Sequence, residues 1–329
     1  MSKISVATGR LLALSMLKGI GPATLRKIAG LPDCGLMDNH QIANHFPSNA
    51  TILRDEKAWS NALTKAEKQI EEAERYSARI LSPLDPEYPA LLAETKDDPF
   101  LLFVRGALVS TPAKSVAIIG TREPTKHGTV IAQRITHYFV EQEWSIVSGL
   151  AIGCDAIAHQ AALDKHGHTV AVLAHGLHTI APTRHRRLAE DILAKGGALV
   201  SEHYFGVDAQ PQYFAKRDRI QAGMAQGVVM VQSDHKGGSL HASRAALEYG
   251  RWLAVPYPTE LDRANKEPKI QANLTLAEGS TAERSDLLRC PPVALGRVTI
   301  LRGREDYGSL VSNVLTPAVL HRTVQCRLL

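Results

Sequence analysis

Six short apolar runs recur between Ser115 and Tyr257: SVAIIG, WSIVSG, HTVAVLA, ALVSE, GVVMVQ and WLAVPY. Helix-length stretches such as TVIAQRITHYFVEQE and SLHASRAALEYG separate them. Runs with so little polar alternation belong to strands buried on both faces, the situation in a parallel sheet covered by crossover helices. The pattern therefore predicts an α/β, doubly wound parallel sheet. In such a sheet, ligands sit at the carboxyl ends of the strands.

Upstream, the texture is helical. RLLALSMLKGIGPATLRKIAG, residues 10–30, places Leu14, Leu17, Leu25 and Ile28 on either side of a Gly-Ile-Gly-Pro turn. This is the helix-hairpin-helix pattern of a small all-helical, SAM-like domain, in which Pro22 suits the first turn of the second helix. Glycines in that turn can bring backbone N–H groups to a phosphate or serve packing alone. Residues 55–80 read as one long charged helix, and SPLDPEYP then interrupts it with three prolines. The predicted organisation is a helical domain over 1–82, a linker or extension over 83–113, the sheet domain over 114–289, and a tail over 290–329 with no assignable fold.

Composition narrows the functional classes only slightly. With 329 residues, 44% hydrophobic and 22% charged, the chain is an ordinary globular protein with room for two domains. A net charge of +5 permits a polyanionic partner without requiring one. Four cysteines (Cys34, Cys154, Cys290 and Cys326) form no CxxC pair, which argues against a zinc ribbon or a disulfide framework. The N-terminal run LLALSML is too short to span a bilayer and lacks a cleavage site, so a cytoplasmic protein with no membrane association is expected.

Three strand-to-helix junctions carry small residues. IIGTREPTKHG puts Gly120, Thr121 and Arg122 at the first strand end; SGLAIGCD puts Ser148, Gly149 and Gly153 at the second; HKGGSLHAS puts Gly237, Gly238 and Ser239 before a late helix. A helix N-terminus offers unpaired N–H groups and a positive dipole end, and glycine lets an anion approach. The same glycines also serve strand–helix packing. Three such junctions together predict a row of phosphate seats. GTREP does not meet the dinucleotide fingerprint and no P-loop occurs, so no cofactor is expected. Lys216, Arg217 and Arg219 in FAKRDRIQAG supply positive charge suited to a nucleic-acid backbone. Arg184, Arg186 and Arg187 form a second cluster that reads equally as a solvated helix face.

Two residues invite a catalytic reading. Cys154 sits at a helix N-terminus with His159 a turn away, yet small apolar neighbours favour a buried inert thiol. Asp155 is an acid, a base, or a cap for backbone N–H groups. His175 and His178 lack a second ligand pair, so no metal is expected.

The succession VAIIGTREPTKHG, SIVSGLAIGCDAIAHQAAL, TVAVLAHGL, FAKRDRIQAG and GGSLHASRAALEYGRWLAVP resembles the DNA-processing protein A (DprA/Smf) family over roughly residues 10–289. The resemblance implies a Rossmann-like sheet domain and a homodimeric single-stranded-DNA-binding protein without catalytic activity. It also implies protection of incoming strands and loading of the RecA recombinase in natural transformation. On that pattern Arg122, the Ser148–Gly149 turn, Gly153, Lys216, Arg217, Arg219 and Gly238–Ser239 line the strand path. The chain departs from the family's pattern at several points. The usual RNR is RDR here, which introduces Asp218; Ala242 replaces a common threonine; Tyr257 replaces the glycine of AVPG; and no winged helix is evident in the tail. Two other readings stay in view. One is a nucleotide-sensing module using the same seats. The other is a nucleoside-monophosphate phosphoribohydrolase, for which KGGSLHASRAALE lacks a glutamate at the needed place and offers Glu248 about a turn late.

Overall fold

The computed structural model describes residues 4–32, 34–35, 37–109 and 114–312. The terminal stretch NVLTPAVLHRTVQCRLL lies outside them.

The chain begins with the hairpin its sequence predicts. Helix α1 (Val6–Ser15) and helix α2 (Pro22–Ala29) flank a turn in which Gly19 has φ +84° and Gly21 is the N-cap ahead of Pro22. Leu14, Leu17, Leu25 and Ile28 are all buried. Short helices α3 (Asn39–His45) and α4 (Ala50–Leu53) follow, and then the 20-residue α5 (Glu56–Arg75), N-capped by Asp55. Helix α5 turns Ala62, Ala66 and Ala73 inward, and these small side chains let its charged body lie close to α1. The predicted helix runs to residue 80, but the chain leaves it earlier. Ser77 takes φ +52°, and β-branched Ile80 sits in a strand, β1 (Ala78–Leu81).

Of residues 83–113, expected to link two domains, the described residues 83–109 are woven into the fold. The proline-rich break folds back on α1: Asp85 accepts from Thr8 Oγ1 at 2.5 Å and from the Ser82 N–H at 2.7 Å. After α6 (Ala90–Ala93), strand β2 (Leu102–Gly106) pairs antiparallel with β1 on one side. Buried Asp98 accepts from Arg26 of α2, from the Tyr88 hydroxyl at 3.2 Å and from the Phe100 N–H at 3.1 Å. These bonds clamp the helical part to the sheet.

All six predicted strands form: β3 (Ser115–Ile119), β4 (Ser145–Ser148), β5 (Thr169–Leu173), β6 (Ala198–Ser201), β7 (Gly227–Met230) and β8 (Trp252–Pro256). Between them run α7 (Lys126–Glu141), α8 (Cys154–Asp164), α9 (Arg186–Ala194), α10 (Pro211–Gly223) and α11 (Ser239–Glu248). Helices α12 (Glu260–Ala264), α13 (Gln271–Glu278) and α14 (Thr281–Leu288) lead to β9 (Val298–Leu301) and α15 (Tyr307–Ser312). Part of the stretch read as an unassigned tail thus supplies a ninth strand, parallel to β8.

The nine strands run β1-β2-β6-β5-β4-β3-β7-β8-β9, parallel from β6 onward and antiparallel at the β1–β2 edge, with β2 antiparallel to β6. Alternation along each strand sends side chains to opposite faces, so Ala117 and Ile119 join a core with α10 and α11 while Val116 and Ile118 join one with α7 and α8. The N-terminal helices share their core with Phe103, Leu173 and Leu199 of the sheet. From β3 the chain winds outward through β4 to β6, then returns to start again at β7 beside β3. The order of strands reverses at that gap, and a crevice opens above a reversal of this kind.

Candidate functional site

A cleft of about 540 Å³ lies at this crevice, over the carboxyl ends of β3 and β7. The first junction forms one wall. The Thr121 N–H donates to Gln232 O at 2.8 Å and the Cys154 N–H donates to Thr121 O at 3.1 Å, tying the loop after β3 to β7 and to the start of α8. Gly120 has no room for a side chain: a Cβ would stand 2.5 Å from Cys154 Sγ. Arg122 projects outward from this loop, with its guanidinium 5.7 Å from the centroid of the Phe214 ring.

The opposite wall is the loop between β7 and α11. Lys236, Gly237, Gly238 and Ser239 line the cleft. Among the described residues no side chain caps α11 and nothing lies within 4 Å of where a Cβ on Gly238 would sit, so backbone is open to a ligand there. Ser239 is nearly buried and donates to Ser233 Oγ at 2.8 Å. Lys269 reaches the rim and pairs with Asp234 at 2.8 Å. Among the described residues Arg122 and Lys236 have no ion-pair partner.

Helix α10 forms the floor. Pro211, Phe214, Ala215, Asp218 and Gln221 recur at helical spacing on the face it turns to the cleft. This arrangement corrects the reading of KRDR as one basic cluster. Arg217 is 3% exposed and points into the sheet, where Nη1 donates to Gly149 O at 2.7 Å and also to Val172 O. Arg219 points elsewhere, holding Glu202 with two bonds of 2.9 Å and donating Nε to Asp97 O at 3.1 Å. Lys216 is exposed, lies outside the cleft lining and pairs with Glu202 at 3.4 Å. Successive helical residues diverge by about 100°, so adjacency in sequence scatters these charges.

The second junction also differs from the expected phosphate seat. Asp155 is buried, and its Oδ2 accepts the N–H groups of Gly149 at 3.1 Å and Ala151 at 3.3 Å. The chain's own carboxylate occupies the seat. Ser148 turns inward to donate to Ile118 O at 2.6 Å, and Arg217 fills the space beside Gly149. Gly153, at φ +82°, would put a Cβ 2.4 Å from Thr121 O, so it serves the packing of α8 against the first loop. Of the predicted residues, the cleft gathers Gly120, Thr121, Arg122, Arg217, Gly237, Gly238 and Ser239, and leaves Ser148, Gly149, Gly153, Lys216 and Arg219 outside its lining. Sequence reasoning missed Phe214, Asp218, Gln221 and Lys236. Helical periodicity through α10 carries the signal for the first three, and adjacency to the Gly-Gly pair carries it for Lys236.

Electrostatics follow burial. Desolvation raises Asp155 above the ordinary carboxylate range despite Arg217 and its two N–H donors. Asp218 is pushed up to about 7, first by burial and then by nearby Asp155, against the pull of Arg217 and Arg122. Burial pushes the Cys154 thiol far up, so the helix N-terminus does not make it a nucleophile. His159 is pushed down to about 3 by burial and bonds Thr169 Oγ1 at 2.7 Å, which makes it a neutral core histidine. Arg184, Arg186 and Arg187 are exposed, and Glu248 pairs with Lys96 away from the cleft.

Residues 79–284 match the model of the DNA recombination-mediator protein A family. Protein Smf of Escherichia coli is 41% identical over 180 residues, covering 54% of this chain and 48% of that protein. The chain spans about half to three fifths of the length of the Smf and DprA relatives it matches. The crystal structure of DNA processing protein A from Streptococcus pneumoniae superposes with TM-score 0.70 at 24% identity, covering 94% of this chain and 98% of that one. DNA processing protein A from Helicobacter pylori, described with a unique single-stranded-DNA binding mode, superposes with TM-score 0.57 at 25% identity. That match covers 73% of this chain and 98% of the other.

Proposed function

The chain belongs to the DNA recombination-mediator protein A family, and from that premise we propose that it binds single-stranded DNA through the cleft at the sheet's reversal point. In this reading it is a cytoplasmic homodimer that protects single strands and hands them to a RecA-type recombinase. It performs no chemistry of its own. One observation carries the binding reading. Arg122 and Lys236, two cations without ion-pair partners among the described residues, line one cleft together with the Phe214 ring and the open backbone at Gly238. Cations for phosphates beside an aromatic ring for bases is the pairing that sequence-tolerant single-strand binders use. The unreactive Cys154 and the position of Glu248 away from the cleft support a binding protein over a thiol enzyme or a phosphoribohydrolase.

The test is a salt titration of affinity for an oligothymidylate, with duplex DNA and mononucleotides as comparisons. Binding should weaken steeply with salt, because released counterions drive it. Arg122→Glu should weaken it by at least about tenfold. Equal affinity for that variant and the wild type would remove the cleft from the strand path. The volume of about 540 Å³ also suits a single nucleotide, which keeps the nucleotide-sensing reading open. Tight binding of a mononucleotide or cyclic dinucleotide without affinity for oligothymidylate would decide for it.

A further inference from the structure

The floor of the cleft holds a charge arrangement that a row of phosphate seats does not need. Four cationic side chains (Arg122, Arg217, Lys236 and Lys269) line it together with four carboxyls (Glu123, Asp155, Asp218 and Asp234). The formal charges cancel, so a single proton decides whether the cleft is net positive toward an anion.

Two of the carboxyls, Asp155 of α8 and Asp218 of α10, lie around one buried guanidinium, Arg217. Asp155 is engaged by two backbone N–H groups. Asp218 is held through one oxygen only: Oδ1 accepts from Arg217 Nε at 3.1 Å and from Gln221 Nε2 at 2.9 Å. Among the described residues its Oδ2 has no hydrogen-bond partner, and neither does the buried Oε1 of Gln221. The buried Gln221 Oε1 lacks a donor, and a carboxyl that carries its own hydrogen supplies one to this neighbourhood.

Resting on the single-stranded-DNA reading above, we propose that Asp218 is the residue that sets the cleft's affinity for an anionic strand, holding it tightly when protonated and weakly when ionised. The groups that face it are Arg217 and Gln221 on its own helix, Asp155 from α8 and Arg122 from the loop after β3, while Glu123, Asp234, Lys236, His241 and Lys269 line the rest of the cleft. Ionisation of Asp218 near pH 7 puts the transition where a small pH change alters it. Protonation below that point removes a negative charge from the floor. A bound phosphodiester raises the carboxyl's proton affinity in turn, and linkage converts each unit of that rise into tenfold in affinity.

Affinity for an oligothymidylate at constant ionic strength, measured for wild type and Asp218→Asn from about pH 6 to about pH 8.5, tests this. The asparagine keeps an oxygen to accept the bonds from Arg217 and Gln221, so the fold is retained. Wild-type affinity should fall about fivefold across the range, and the variant's by less than about twofold. Other groups that titrate in the same range act on both proteins alike and cancel in the comparison. The Asp218 carboxyl carbon, followed by NMR in aspartate-labelled protein, should titrate near neutrality. An equal pH response in the two proteins, or a carboxyl that titrates below about pH 5, overturns the proposal and leaves strand binding standing. No affinity for the oligothymidylate in either protein at any pH overturns the strand-binding reading and this inference with it.

Discussion

The Asp155 carboxylate accepts the N–H of Gly149 at 3.1 Å, taking from within the chain the place an external anion would occupy at the end of β4. It also accepts the Ala151 N–H and lies beside the Arg217 guanidinium. Removing it leaves two N–H groups and a buried cation without this partner. Asp155→Ala should therefore lose about 2–4 kcal/mol in denaturant unfolding. Asp155→Asn, which keeps one acceptor oxygen, should lose less. Equal stability of Asp155→Ala and wild type would show that the seat is not held by this carboxylate.

Phe214 and Lys236 should fail in distinguishable ways. Loss of a stacking ring costs about 1–3 kcal/mol per base, so Phe214→Ala should weaken single-strand binding by about fivefold or more without changing its salt slope. Lys236→Ala should reduce the slope by about 0.7, the counterion share of one contact on a single strand. A salt slope altered by Phe214→Ala and untouched by Lys236→Ala would reverse the roles of the two residues.

Stability against pH reads Asp218 independently of any ligand. Its carboxyl moves from 3.8 in the unfolded chain to about 7 in the fold, so the folded state binds the extra proton. That contribution is fully present below about pH 4 and is lost as pH rises through about 7. Asp218→Asn has no such proton to lose. Relative to wild type it should gain about 1–3 kcal/mol between about pH 5 and pH 8. A constant difference across that window would mean the carboxyl is not raised.

The six parallel strands and the hairpin at Gly19–Pro22 were legible because each depends on local pattern: unbroken apolar runs in one case, a glycine-proline turn between apolar helices in the other. Strands β1 and β9 were not, since they are short strands at the sheet's edges, and β2 was not because its apolar run Phe100–Val104 lies in the stretch that reads as a linker. Ile80 was absorbed into a helical period that Ser77 ends by adopting φ +52°. In the candidate site, the glycines of the first and third junctions line the cleft and those of the second do not, and the sequence does not show what fills each junction. Whether a glycine admits a ligand or a neighbour depends on long-range packing. Gly149 faces Arg217, 68 residues away in sequence, while Gly238 faces open space. The RDR stretch misled for a simpler reason, because three adjacent charges on a helix point in three directions.

Cys154 provides a check on the inert reading of the second junction. It is fully buried and its thiol is pushed far above the ordinary range by desolvation. A thiol reagent at neutral pH should label Cys154 only as fast as the protein opens, since the thiolate is the reactive form. Labelling faster than hydrogen exchange of the neighbouring amides would restore it as a candidate nucleophile.

Gly153 and Gly196 separate two demands that glycine meets. Both have φ +82°, so a side chain at either is strained by about 1–3 kcal/mol. At Gly196 a Cβ meets nothing within 4 Å, whereas at Gly153 it would stand 2.4 Å from Thr121 O and 2.6 Å from Arg122 O. Gly196→Ala should accordingly cost about 1 kcal/mol and leave strand binding intact. Gly153→Ala must displace the loop that carries Arg122. It should cost at least about 3 kcal/mol in unfolding and weaken single-strand affinity even under conditions where the variant is folded. Matching losses for the two variants would mean that the contact between α8 and the Thr121–Arg122 loop does not position the cleft wall.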